Sequence, residues 1–507
     1  MLWLAVHLPW LSLEAFGATL PADQRRRPLA LLADHQVQAV NAAAAAAGVQ
    51  PGCKRATALA LAPGLQFGQA DAARDAQALQ AAAHAALAFT PAVALDGAAT
   101  VLLEVAGSLR YFGGADALLA RLRQALQPLG HRVQIASAPT ALGAALLARW
   151  RDDLASGPHR EDLAALQRLL DEAPVWLLGP GREHWEALQG MGLRQLSDLL
   201  RLPRAGLARR FGEDLLDDLD RARGIRPDPR IWLSAPERFD ARLELAMRAD
   251  HAEQVLHAAA VLLAQLVAWA QAWQSRVQAF TLQMHHEPRH RAEAVTPPAT
   301  ALRIELAEPA ADIAHLQALL RERLARVQLA APTLELRLHC HEVVQQPPPN
   351  AELFPTRHSE RTGLVRLLER LRARLGDECV LQLQPVADHR PERACRAVPV
   401  GEGAGAALPP PLSRPAGEGL PWPRPVWLLP EPLPLPDRQA MPWFEGRPLQ
   451  LLAGPERIET GWWDGGLATR DYFIAQAADG ALVWVYRARL PVADEAEPLW
   501  FLQGRFG

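Results

Sequence analysis

Apolar and polar positions alternate along the chain in blocks that read as mixed helices and strands. Residues 2–8, LWLAVHL, and 100–105, TVLLEV, are short apolar runs of the kind that form buried strands. Between Asp116 and Pro128 the leucines fall at 118, 119, 122 and 126, one face of an amphipathic helix. Residues 131–149 read as a strand, HRVQIASA, followed by a helix, PTALGAALLAR. The run NAAAAAAGVQPGC, 41–53, is alanine-rich and favours helix. Residues 174–230 carry short helical patterns broken by glycine. Residues 231–343 then give strands centred on Arg242–Met247, Val277–Met284, Leu302–Leu306 and Leu334–His339, with helices about His251–Gln274 and Asp312–Val327. An amphipathic helix over Leu364–Leu375 and a strand, CVLQLQPV, follow. Residues 397–437 are rich in Pro and Gly and are expected to form a linker. The last block, 438–507, is β-rich and aromatic, with landmarks Gly461-Trp462-Trp463-Asp464, Arg470-Asp471-Tyr472-Phe473, Trp484-Val485-Tyr486-Arg487 and Trp500-Phe501-Leu502.

Length changes this picture only by dividing it, since 507 residues exceed one compact core and imply three or four domains. A net charge of -3 gives no basic signature and argues against strong nonspecific DNA binding. Positive charge is almost all arginine, with Lys54 the one lysine. Cys53, Cys340, Cys379 and Cys395 have no CxxC spacing, so reduced thiols are expected, with no zinc site and no disulfide framework. The apolar start, Leu2 to Leu13, lacks preceding basic residues and contains Pro9, which suits a strand better than a signal peptide. No uninterrupted apolar run of about 20 residues occurs, so no membrane span is expected.

The chemistry is organised around Thr90 to Gly114, TPAVALDGAATVLLEVAGSLRYFGG. It resembles, without a gap from Thr90-Pro91 to Gly107-Ser108, the palm segment of Y-family (translesion) DNA polymerases, roughly TPxVExxSxDEAYLDVTGS. The resemblance places the family's catalytic Asp-Glu pair on Ala99 and Thr100. Glu14 resembles the Glu that closes the family's first motif, and counting back from it puts the metal-binding Asp at Ala5 and a second Asp at His7. His7 then reads either as a ligand or as a polar residue ending a strand. NAAAAAAGVQPGC resembles the finger segment SYEARKFGVRSGM, whose triphosphate-holding Tyr and Arg fall on Ala42 and Ala45. PTALGAALLAR resembles the family's GIAPNKLLAKIAS, whose phosphate-contacting lysine falls on Ala141. Lys54 and Arg55 remain as cations that either reach phosphate or line a solvated turn. Two-metal phosphoryl transfer needs carboxylates converging on ions about 4 Å apart. Asp96 and Glu104 are separated by about 26 Å along a regular strand and read as a turn residue and an exposed strand residue.

The same resemblance organises the rest. Leu188-Gln-Gly190-Met-Gly192-Leu193 looks like a helix-hairpin-helix turn, whose glycines, backbone amides and helix N-terminus suit a DNA phosphate. Arg194, Arg204, Arg209 and Arg210 are the accompanying basic candidates, opposed by the acidic run Glu213 to Asp220. The strand and helix order of 231–343 resembles the β-α-β-β-α-β little finger of that family. From Arg226 to Glu342 it carries 13 Arg against 14 Asp plus Glu, so a DNA face there requires local clustering. His339 and His341 share a strand face without further ligands. Gln345 to Pro355, QQPPPNAELFP, resembles the clamp-binding motif QxxLF, with Asn350 where Gln is usual and Leu353 and Phe354 as the apolar anchors.

The expected fold is therefore α+β and multidomain. It comprises a Y-family-like palm and fingers with a degenerate site (1–173), a helical thumb (174–230) and a little finger (231–343). The clamp motif with a helix and strand (344–396), the linker (397–437) and a β-rich partner module (438–507) complete it. The resemblance implies a noncatalytic hub for damage-induced, error-prone translesion synthesis, serving DNA repair and SOS mutagenesis without cofactor or metal. Implied partners are primer-template or damaged DNA, the replicative sliding clamp, a RecA-like protein of ImuA type and an error-prone C-family DNA polymerase, in the cytoplasm at the nucleoid. Two alternatives stand beside it: an active Y-family translesion polymerase with other acids substituting, and a primer-template-binding module with no hub role. Full burial of Leu353 and Phe354 contributes about 1.5–3 kcal/mol each. The double substitution Leu353→Ala, Phe354→Ala is therefore expected to abolish clamp binding in a surface-plasmon assay while leaving the unfolding midpoint unchanged. Unaltered clamp affinity would remove this motif as the site.

Overall fold

The computed structural model describes residues 1–288, 297–345, 357–400, 423–489 and 499–506. Asn350, Leu353 and Phe354 lie outside these described residues. The chain forms two compact units, Met1–Arg374 and Leu375–Gly507.

In the first unit, strand β1 (Trp3–His7) is flanked by two antiparallel partners. These are β6 (Thr100–Glu104) and β7 (Gln134–Ala138), and β5 (Val93–Leu95) extends the sheet to the order β5-β6-β1-β7. Successive side chains point to opposite faces, and each face has its own core. Leu4, Val6, Leu8, Val101 and Leu103 pack against the helices Ala72–Leu87 and Ala115–Leu126. Trp3, Ala5, Leu102, Ala136 and Ala138 face the helix Ala141–Trp150 instead. That second core runs on through Leu188, Leu196, Leu207, Phe211 and Leu219 of the helical segment, so palm-like and thumb-like parts share one apolar interior. Gly143 marks a close crossing: a Cβ there would lie 3.0 Å from the carbonyl oxygen of Ala222 and 2.3 Å from the Thr140 hydroxyl.

A small sheet of β2 (Leu29–Ala33), β3 (Gln36–Val40) and β4 (Gln66–Gln69), ordered β3-β2-β4, carries the helices Ala42–Ala46 and Arg55–Leu61. Asn41 caps the first by accepting from the Ala44 amide at 2.9 Å. A short helix, Leu109–Phe112, follows β6 and is ended by Gly113 with φ 80°.

Residues 239–345 form the expected β-α-β-β-α-β order. Strands β8 (Phe239–Ala249), β9 (Ser275–His286), β10 (Ala299–Ala310) and β11 (Thr333–Gln345) make an antiparallel sheet ordered β10-β9-β11-β8. The helices Ala252–Ala272 and Ile313–Leu324 share its core. By length and composition Ala252–Ala272 could cross a membrane, yet its apolar residues are buried in that core. The helix Arg357–Leu375 also belongs to this unit. Its buried Glu369 meets His315 at 2.8 Å and accepts from the Ala307 amide at 2.5 Å. The expected grouping 344–396 is thus divided, because buried polar pairing ties this helix to the sheet that precedes it.

The second unit contains a hairpin of β12 (Leu381–Pro385) and β13 (Cys395–Pro399). After it come β14 (Trp427–Leu435) and three short strands, β15 (Asp437–Arg438), β16 (Met441–Phe444) and β17 (Arg447–Pro448). A five-stranded sheet, β14-β21-β20-β19-β18, completes it from β18 (Gln450–Thr460), β19 (Ala468–Gln476), β20 (Leu482–Ala488) and β21 (Trp500–Arg505). The expected linker 397–437 is corrected at its C-terminal end. Trp427–Leu435 is a strand despite Pro430, Pro432 and Pro434, because among the described residues it is an edge strand paired only with β21, where a missing N–H is tolerated.

Candidate functional site

The degenerate palm positions come together at one end of β1. Antiparallel register sets His7 opposite Thr100 and Ala5 opposite Leu102. His7 Nδ1 lies 3.0 Å from the Thr100 hydroxyl, and the Leu8 amide donates to the Ala99 carbonyl at 2.8 Å. A hydrogen-bonded His–Thr pair therefore occupies the strand ends that the resemblance assigns to carboxylates. Burial, reinforced by the Arg149 charge, lowers the His7 pKa to about 4, so the ring is neutral near pH 7. Ala5 is fully buried and Ala141 nearly so, both inside the core beneath the helix Ala141–Trp150. Ala42 and Ala45 are exposed on their short helix and offer only methyl groups. Lys54 and Arg55 are exposed nearby, with the Arg55 guanidinium 5.4 Å from the Phe67 ring centre.

The two remaining acids do not behave as simple surface residues. Asp96 sits in the β5–β6 turn, its amide donating to Thr100 O at 2.9 Å. Its carboxylate is held by Arg149 and, at 2.5 Å, by Arg230, which also reaches Asp228 at 2.6 Å. Glu104, expected to be exposed, is half-buried, because it accepts from the Leu2 and Ala106 amides at 3.2 Å each. A cavity of about 490 Å³ beside Asp96 is lined by Arg149, Arg221, Arg230, Asp218 and Asp228 among others. Its cations are matched by acids, which disfavours an incoming polyphosphate. Among the described residues, no three His, Cys, Asp or Glu side chains form a group that could hold a metal ion. No sequence signal foretold the Asp96–Arg149–Arg230–Asp228 network, since its members are scattered over three segments far apart in the chain.

The helix-hairpin-helix is present as Trp185–Gly190, a turn with Gly192 at φ 78°, and Leu196–Leu200. The expectation that its turn amides face a phosphate is corrected. The amides of residues 191–193 donate to carbonyls of 187–189, those of Arg194 and Gln195 to Asp198 at 3.0 Å, and that of Leu196 to Ala173 O. Asp198 thus occupies the place an anion would take at this helix start, and those amide hydrogen bonds hold its carboxyl below the usual range. Arg204 forks onto Asp220 at 3.1 and 2.6 Å and is committed internally. Arg194, Arg209 and Arg210 are exposed and make no ion pair among the described residues. On the solvent face of the 239–345 sheet, Arg337 pairs with Asp240 and Arg303 with Glu342, so both of these cations are matched by acids. A β-bulge between His339 and Glu342 interrupts the face that His339 and His341 were expected to share.

Two outcomes follow from the palm geometry. Ala5→Asp places a carboxylate in apolar core and is expected to lower the unfolding free energy by about 3–5 kcal/mol, read by urea denaturation; a neutral effect would mean that the site is open to water. Because folded His7 titrates near 4 and the unfolded side chain near 6.5, its contribution is complete above pH 6.5 and is lost as pH falls toward 4. His7→Gln is expected to flatten part of that slope in urea midpoints, with buried His84, likewise lowered to about 4, retaining the rest.

Comparison with known proteins bears on the same residues. The family described as "IMS: impB/mucB/samB family" matches residues 13–149. Solved structures with a similar fold include a Dbh ternary complex, at TM-score 0.38 and 16% identity over 68% of this chain and 99% of that one. DinB from Sulfolobus solfataricus is similar at TM-score 0.38 and 16% identity, over 67% of this chain and 98% of that one. At such values the assignment rests on sequence relatives instead. Protein ImuB of Caulobacter vibrioides NA1000 / CB15N is 31% identical over 484 residues, covering 91% of this chain and the whole of that protein. Protein ImuB of the strain ATCC 19089 / CIP 103742 / CB 15 matches with the same figures. At 31% identity over nearly the whole of both proteins, the chain belongs to the ImuB family.

Proposed function

We propose that this protein is a noncatalytic, Y-family-derived hub that binds DNA and the sliding clamp during damage-induced, error-prone translesion synthesis. The observation that carries the reading is the state of the palm. Where two Mg²⁺ ions would need carboxylate ligands, Ala5 is buried in apolar core and His7 bonds Thr100, and Ala141, matched to the phosphate-contacting lysine, is buried in the same core. The family assignment adds the setting. The hub acts in the cytoplasm at the nucleoid. It joins primer-template or damaged DNA and the replicative clamp, the latter through Asn350, Leu353 and Phe354. A RecA-like protein of ImuA type and an error-prone C-family DNA polymerase complete the assembly, the polymerase doing the synthesis.

DNA contact in this reading falls to Arg194, Arg209 and Arg210, with Gly190 and Gly192 shaping the turn between their helices. Three unpaired arginines on a chain of net charge -3 imply modest, salt-sensitive affinity. The hairpin's persistence also suits a primer-template-binding module with no hub role, which clamp and partner binding would distinguish.

Primer extension by the purified full-length chain with dNTPs and Mg²⁺ or Mn²⁺, run with a gel shift on the same primer-template, tests the proposal. Retained binding with no incorporation is expected. Template-directed incorporation would overturn it and require other acids to carry the metals.

A further inference from the structure

Over residues 363–375, the helix Arg357–Leu375 turns a carboxylate inward and its leucines outward. At about 3.6 residues per turn, Leu364, Leu367, Leu371 and Leu375 fall within about 80° of one another. These four are between 36% and 56% exposed. The opposite face is the buried one and holds Glu369 and Ala373. An amphipathic helix ordinarily buries its leucines. Glu369 fixes the reverse orientation. One of its oxygens lies 2.8 Å from His315 Nε2, and the other accepts from the amides of Ala307 at 2.5 Å and Glu308 at 3.4 Å. Ala373 enters the core of the 239–345 sheet, and Arg366 pairs with Asp312 at 3.1 Å. The leucine stripe is therefore held outward by contacts made on the far side of its own helix.

Charge around the stripe has one sign. Arg370 and Arg374 border it on one side and Arg372 on the other, and from 363 to 375 the one acid is the buried Glu369. Arg370 and Arg374 make no ion pair among the described residues. The leucines advance by three, four and four positions, the steps of a coiled-coil seam whose side chains pack into a facing helix. A nucleic acid would meet the arginines and leave the leucines in water. A second copy of this helix would set arginine against arginine. A lipid surface takes a broad apolar face with Trp or Phe beside Leu, whereas this stripe is narrow and carries leucine alone.

We infer that the outward face of Arg357–Leu375 docks an amphipathic helix of a second protein, apolar along its seam and acidic on its flanks. Leu367 and Leu371 fill the centre of the contact, while Arg370, Arg372 and Arg374 meet the carboxylates and set specificity. Because the stripe is already fixed on the sheet, little ordering cost falls on this side of the complex. The contact is separate from DNA and clamp binding, and the absence of either would leave it standing.

The test uses the full chain and one fluorescent probe, a synthetic three-heptad peptide with Leu at a and d and Glu at e and g. Its glutamates keep it from pairing with itself. The wild type is expected to bind this peptide, more weakly as salt rises. Leu367→Gln with Leu371→Gln should weaken binding by about tenfold or more, with the urea midpoint and the primer-template gel shift unchanged. Arg370→Gln with Arg374→Gln should weaken it less and flatten the salt dependence. No binding by the wild type overturns the proposal, as does equal binding of the same peptide with Lys in place of Glu. Unchanged affinity in the leucine variant places the peptide elsewhere on the chain and overturns it too. A leucine-dependent dimer in sedimentation velocity would reassign the stripe to a second copy. Leucine-dependent binding to phosphatidylglycerol vesicles in preference to the peptide would reassign it to lipid. Either result overturns the docked helix.

Discussion

Close packing between the palm sheet and the helix Ala141–Trp150 underlies the whole first unit. The sheet contributes Ala5, Ala136 and Ala138, the helix Ala141, Ala144, Ala145 and Ala148, and small side chains let the two backbones approach. Around that contact the leucines of the helical segment complete one interior, and Gly143 lets a further helix cross. Two of these residues, Ala5 and Ala141, stand at positions the resemblance assigns to a metal-binding Asp and a phosphate-contacting Lys, and both are buried in the joint.

Charge is handled by a different rule. Arginine supplies almost every cation, and its planar fork suits bidentate carboxylate pairing. Arg230 on Asp96 and Asp228, Arg204 on Asp220, and Arg390 on Asp388 and Asp464 each fasten segments far apart in sequence. Guanidinium groups used in this way are unavailable to phosphate.

Periodicity made much of the architecture legible. The strands and helices of 239–345 appear in the expected order, each strand longer than its apolar centre, because pairing extends a strand past the residues that bury it. Thr100, which the resemblance matched to a carboxylate position, pairs with His7 across the sheet. What failed was non-local. Pro430, Pro432 and Pro434 signalled a linker, and only the knowledge that Trp427–Leu435 is an edge reverses that reading. Glycines signalled a phosphate-binding turn, but Asp198, a few residues on, takes the amides. The Gly461-Trp462-Trp463-Asp464 landmark was visible in the sequence, with nothing in it naming Arg390 as its partner.

The alanine-lined interior also limits which substitutions the first unit can absorb. A single acid introduced at Ala5 enters buried apolar core with no charge beside it to compensate, so that change by itself loses stability. The joint therefore acts as a ratchet. Exposed positions around it are free to vary, while a charged group inside it requires several coordinated changes at once.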